Sequence, residues 1–183
     1  MPQLEDMKAS YEKHKNLKAA ALELGIGWQN LYLKLRKAGV QITGDKSRYG
    51  SDKDRLAAFA ESQFRRIVPF AVSQNDLQWQ SRVDFLVGTY KVDIKAARAH
   101  RGSQKFSATR WMFSVKKQEF CADFIVCFAL PDNYQHKIFL LPCELVSKYQ
   151  TVSIPTAHDS KSKWLQYEVS EDGLRGFFED LLA

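Results

Sequence analysis

Residues 81–97, SRVDFLVGTYKVDIKAA, constrain this chain more than any other stretch. Apolar and polar residues alternate on both sides of Gly88-Thr89, and glycine suits a two-residue hairpin loop. Pairing across that loop sets Val87 against Tyr90 and carries Asp84 opposite Asp93. Directly opposed side chains share a face, with Cβ atoms roughly 4.5–5.5 Å apart. Lys95 lies two residues past Asp93 and points the same way, whereas Val83, Phe85, Val92 and Ile94 point to the other face. Two opposed carboxylates repel, and a divalent cation is the simplest compensation, since Mg²⁺ is commonly held by one or two carboxylates with waters and substrate phosphates. A hairpin whose Asp and Lys side chains merely alternate into solvent would show the same pattern, and a one-residue slip would exchange the two faces.

The chain has 183 residues, 45% of them hydrophobic, enough for one domain of ordinary size and a small appendage. Its net charge of +6 favours polyanionic partners. No apolar run reaches transmembrane length, and the N-terminal MPQLEDMKASYEKHK is too polar for a signal peptide. Three cysteines, Cys121, Cys127 and Cys143, form no C-x-x-C pair, which fits a reducing setting and a cytoplasmic location. There is no phosphate-cradling G-x-x-x-x-G-K-[ST], no dinucleotide fingerprint and no G-x-S-x-G. His14, His100, His136 and His158 are scattered and make no zinc spacing.

Taken in order, residues 4–14 read as a helix with Met7 and Tyr11 on one side, and Asn16 caps a second helix over 17–24. A third helix, 28–37, is stopped by Gly39, and Ala20, Ala21, Leu24, Ile26, Leu31 and Leu35 make a small core. A linker over 41–50 leads to Ser51, the N-cap of a helix to about Val68 with Leu56, Phe59, Ala60, Phe64 and Ile67 as its apolar stripe. Residues 69–74 are apolar enough for a first strand, and 75–80 form a polar connection to the hairpin. Residues 96–110 read as a basic, acid-free loop carrying Arg98, Arg101, Lys105 and Arg110, suited to a phosphate backbone. Further strands are expected at 111–115, 122–130 and 137–141, with a turn at Pro131-Asp132-Asn133 and a turn or short helix at 116–120. Pro142 should open a helix through Tyr149, followed by strands at 151–154 and in WLQYEV. Ser170 caps a last helix with Leu174, Phe177, Phe178, Leu181 and Leu182 on one face.

Two resemblances give these elements a function. VDF followed by DIK resembles the motif of the PD-(D/E)XK nuclease superfamily, an acid on one strand of a hairpin and acid-x-Lys on the next, with Val83 standing where the motif has Pro. The likeness covers residues 52–149 and is nearest the branch of homing and restriction-type endonucleases. It implies an α/β fold, a mixed central sheet flanked by helices. It also implies catalytic Glu61, Asp84, Asp93 and Lys95, and Mg²⁺ or Mn²⁺ held by Asp84, Asp93, the Ile94 carbonyl and Glu61, directly or through water. NLKAAALELGIGWQNLYLKLRKAGV resembles the Fis-like helix-turn-helix group. That likeness implies double-stranded DNA as partner, with Trp28, Gln29, Asn30, Tyr32 and Lys34 at base edges and Arg36 and Lys37 at phosphates. The expected organisation is a helix-turn-helix domain over 1–44 and a nuclease domain over 45–183, working as a homodimer or higher symmetric oligomer if both strands are cut. The alternatives are a structure-specific, junction-resolvase-like nuclease and a non-catalytic DNA-binding regulator on a nuclease-like scaffold.

Overall fold

A computed structural model describes residues 2–42, 50–75, 81–102, 108–116, 121–130, 136–157 and 159–183. Lys105, Phe106, His158, the turn at Pro131-Asp132-Asn133, most of the 41–50 linker and most of the 75–80 and 116–120 connections lie outside them. The chain divides into two compact units, Met1–Arg55 and Leu56–Ala183, later than the expected 44/45 boundary.

The first unit holds α1 (Leu4–His14), α2 (Leu17–Glu23) and α3 (Trp28–Lys37). Asn16 caps α2, its side chain accepting from the Ala19 N–H at 2.9 Å. Gly39, with φ of 74°, follows α3 in the left-handed region. Met7, Tyr11, Ala20, Ala21, Leu31, Leu35 and Ile42 are buried together, with Leu24 and Ile26 half-buried against them. Glu23 on α2 ties this core to α1 through Ser10 (2.5 Å), Lys13 (2.5 Å) and His14 (3.0 Å). The Lys13 ammonium and the Ser10 hydroxyl hold its carboxyl down at about 2.

The second unit is a mixed α/β structure in which two sheets and two long helices share the core. One sheet has the order β1 (Val72–Ser73), β2 (Phe85–Val87), β3 (Tyr90–Arg98), β6 (Phe124–Leu130), β7 (Lys137–Pro142), β9 (Glu168–Val169). Among the described residues only β3 and β6 run parallel. Parallel neighbours need a crossover; this one carries β4 (His100–Arg101) and β5 (Thr109–Ser114), which join β8 (Thr151–Pro155) in a second sheet.

Strand alternation separates two cores. On one face α4 (Asp52–Ile67) and α6 (Glu171–Leu182) cover Phe85, Val87, Val92, Ile94, Val126 and Phe128 with Ala60, Phe64, Ile67, Leu174 and Phe178. On the other, β5 and β8, the short helix α5 (Cys143–Val146) and a 3₁₀ turn (Lys163–Tyr167) bury Trp111, Phe113, Val152, Ile154 and Trp164 against Ile125, Cys127, Phe139 and Leu141. Ser170 caps α6 by accepting from the Gly173 N–H at 3.0 Å.

Several expected elements are corrected. The strand over 69–74 shrinks to Val72–Ser73, because Pro69 lies in a turn closed by the Ala71 N–H on the Val68 carbonyl (3.0 Å). Residues 96–110 are not one loop: β3 pairs with β6 as far as Arg98 and Leu130, and β4 and β5 follow. The helix after Pro142 ends at Val146, where the Ser147 hydroxyl bonds back to the Glu144 carbonyl (2.9 Å) and the chain turns into β8. In WLQYEV the 3₁₀ turn buries Trp164, leaving only Glu168–Val169 to pair with β7. Phe59 and Leu182 are 41% and 49% exposed, outside the apolar stripes assigned to them. Among the described residues no helix is long and apolar enough to cross a membrane.

Candidate metal and active site

The β2–β3 hairpin has the register that its two-residue loop dictates: Val87 pairs with Tyr90, Leu86 with Lys91 and Phe85 with Val92. Gly88 takes a φ of 59° in that loop, a conformation glycine adopts without a Cβ penalty. The regular ladder stops at Phe85. The Asp84 N–H donates to the Val92 carbonyl at 3.1 Å, one residue off the paired register, so Asp84 steps out of the strand. In an unbroken ladder the Ile94 N–H would reach the main chain of Val83. Here the Asp84 carboxylate takes it, through Oδ2 at 2.8 Å. Oδ1 accepts from Asn75 Nδ2 at 3.0 Å.

Asp93 lies on β3 with its side chain on the Ile125 and Cys127 face, as alternation against Val92 and Ile94 requires. It is 3% exposed, one of the few buried polar residues. The Lys95 ammonium forms an ion pair with Oδ2. Oδ2 itself is buried, with that ammonium as a direct polar neighbour. Burial pushes the Asp93 carboxyl up to about 7, the Lys95 charge opposes this, and the nearby Asp84 carboxylate adds to it. Asp84 therefore stays near Asp93 although its backbone has left the paired register. Lys95 pairs with Cys127 across β3 and β6. Burial raises that thiol well above its ordinary range, with the Asp93 charge next in effect, so Cys127 stays a neutral thiol beside the ion pair.

These groups suit a hard divalent cation. A buried carboxyl, beside a second carboxylate whose oxygens each keep a further acceptor direction, offers the all-oxygen chemistry that Mg²⁺ prefers. Ile94, whose carbonyl is the expected backbone ligand, stands between Asp93 and Lys95 on the same strand.

Glu61 is not gathered into this set. Among the described residues no three His, Cys, Asp or Glu side chains lie close enough to hold one metal ion. α4 covers the Val92 and Ile94 face, while Asp93 and Lys95 point to the opposite one. Glu61, next to the buried Ala60, is half-buried on that helix.

The candidate DNA contacts are distributed as follows. In the first unit Trp28, Gln29, Asn30, Lys34 and Lys37 are exposed on α3, and Tyr32 is half-buried with its hydroxyl accepting from Arg36 at 3.2 Å. In the second unit Arg98 and Arg101 are exposed at the end of β3 and on β4. Arg110 is half-buried, and its guanidinium donates to the Ser153 hydroxyl (2.7 Å) and carbonyl (3.3 Å) on β8. It is therefore engaged within the second sheet rather than presented on a loop.

Sequence reasoning missed Asn75 and Cys127. Asn75 fell in a polar connection with no pattern to single it out. Cys127 could have been placed beside Lys95 only by knowing the parallel register of β3 and β6. No protein-family model matches the chain, and no curated protein matches it.

Proposed function

We propose that this chain is a metal-dependent DNA endonuclease with a PD-(D/E)XK-like core, in which Asp84, Asp93 and Lys95 carry the chemistry. The observation that supports it most is Asp93: a buried carboxyl paired with Lys95 and set beside a second carboxylate on one hairpin. Two acids crowded in this way destabilise a fold unless something is gained from them.

Asp84 and Asp93 would hold Mg²⁺ or Mn²⁺, with the Ile94 carbonyl as a further oxygen ligand. When bound, the cation supplies charge neutralisation at the scissile phosphate and acidifies water for attack. Asp93 must give up its proton to serve, which burial and Asp84 oppose and Lys95 assists. Lys95, whose side chain is about a quarter exposed, is placed to orient the attacking water or to stabilise charge developing on the phosphate. Asp84 is kept in orientation by the Ile94 N–H and by Asn75. Exposed residues at the start of α3, Trp28, Gln29 and Asn30, would read the major groove, and Arg98 and Arg101 would meet the phosphate backbone. One such site cuts one strand, so double-strand cleavage would take two copies related by symmetry.

The test is cleavage of plasmid and branched DNA in Mg²⁺ by wild type, Asp93→Asn and Lys95→Ala, with duplex binding measured for each. The proposal expects cutting by wild type, and binding without cutting by both variants. A preference for branched substrate would make the enzyme structure-directed. Duplex binding by wild type with no cleavage under any divalent cation would replace the nuclease with a DNA-binding regulator.

A further inference from the structure

We infer that Asn75 is the positioning residue for Asp84, setting the orientation in which that carboxylate meets a divalent cation; the inference rests on the metal-dependent reading above. Asp84 has left the strand, so the ladder does not fix its side chain. Two donors do. The Ile94 N–H holds Oδ2 at 2.8 Å and Asn75 Nδ2 holds Oδ1 at 3.0 Å. An ionised carboxylate only accepts, so the asparagine must present its NH₂ group and not its carbonyl.

Asn75 is delivered by the edge of the sheet. Val72 pairs with Leu86 and Ser73 with Phe85, and the Gln74 N–H donates to the Asp84 carbonyl at 2.8 Å. The chain leaving β1 is thereby fastened to the backbone of Asp84, and the next side chain reaches its carboxylate. With the Ile94 N–H alone, the carboxylate could swing about a single hydrogen bond. The second donor, on the other oxygen, removes that freedom and leaves each oxygen another acceptor direction for a cation. Asp93 Oδ2 is met instead by the Lys95 ammonium. The two acids therefore differ in kind: Asp84 is set in advance by neutral donors, and Asp93 is held by the lysine's charge.

Outer-shell partners of metal-binding carboxylates typically contribute about 10–100-fold in metal affinity or activity. The experiment is calorimetric titration of the full chain, without DNA, with Mn²⁺ and then Mg²⁺. It compares wild type with Asn75→Ala, Asn75→Leu, which keeps the volume and loses the donor, and Asn75→Gln, which keeps a donor. Each is also unfolded in denaturant with EDTA present. The expected result is cation affinity weakened about 10–100-fold in Asn75→Ala and Asn75→Leu, partly restored in Asn75→Gln, with metal-free unfolding midpoints close to wild type. Wild-type affinity in the Ala and Leu variants overturns the role of Asn75 and leaves the metal site standing. A lowered midpoint tracking the affinity loss, with no restoration by Gln, makes Asn75 a merely structural residue and also overturns it. Failure of wild type itself to bind either cation removes both this inference and the metal-dependent reading.

Discussion

Asp93 makes the metal-free protein's stability depend on pH in an unusual direction. Its carboxyl is raised from 3.8 to about 7, chiefly by burial, so the folded chain keeps a proton that the unfolded chain has released. Stability from this group is complete below about pH 3.8, falls as pH rises, and is gone above about pH 7. The interval between 3.8 and about 7, at about 1.4 kcal/mol per pH unit, corresponds to on the order of 4 kcal/mol. Asp93→Asn keeps the shape and never ionises. The measurement is denaturant unfolding in EDTA at intervals from about pH 4 to about pH 8, plotted as the difference between variant and wild type. Taking the difference cancels groups remote from the substitution, such as Glu23 in the first unit, whose lowered carboxyl acts in the opposite sense. The variant should gain on wild type steadily across that range, by several kcal/mol in all. A saturating divalent cation should lift wild type at the alkaline end and leave the variant where it was. Parallel curves for the two proteins would refute the reasoning, because they would mean that Asp93 ionises as easily in the fold as in the unfolded chain.

Three further outcomes are expected. Glu61→Gln should leave the calorimetric affinity for Mn²⁺ within about twofold of wild type, since Glu61 does not join Asp84 and Asp93 in a ligand group; a tenfold loss would restore it to the site. Phe64→Ala should lower stability by about 3–5 kcal/mol in denaturant unfolding, because Phe64 is fully buried with its ring 4.9 Å from Phe85 and 5.8 Å from Phe178. A loss under about 1 kcal/mol would mean that α4, the hairpin and α6 do not share one core. Ser170→Ala should cost about 1 kcal/mol by removing the acceptor for the Gly173 N–H, with Ser170→Asp restoring most of it in the same unfolding assay.

The hairpin was legible in the sequence because its evidence is local. A glycine able to take positive φ, period-2 alternation and a two-residue loop together fix the partners of Val87, Leu86 and Phe85. The caps at Asn16 and Ser170 were legible for the same reason, each side chain bonding an N–H three residues on. Glu61 was assigned from its helix position and a family likeness, and no local signal tells which face of a distant sheet a helix will cover. Asp84 was expected to continue the strand; that its carboxylate replaces a backbone acceptor for Ile94 depends on a step in the ladder that alternation does not encode. The 96–110 segment was misread because its charges dominate the composition, while its strands are stabilised by partners as distant as Leu130 and Pro155.

The parallel pairing of β3 with β6 also bears on the order in which the protein assembles. The β2–β3 hairpin joins neighbours in the chain, whereas β3 meets β6 only after the whole crossover has been placed, Val92 lying beside Phe124. Hairpins close in roughly 1–10 μs, and pairings distant in sequence are slower. Asp84 and Asp93 are therefore brought onto one hairpin while solvent still screens them, and Asp93 loses its water when β6 and the second sheet dock. In alkaline buffer that docking step has to expel water from an ionised acid or wait for a proton. Refolding should then slow as pH rises while unfolding quickens less, with the closing of the parallel pair as the gate.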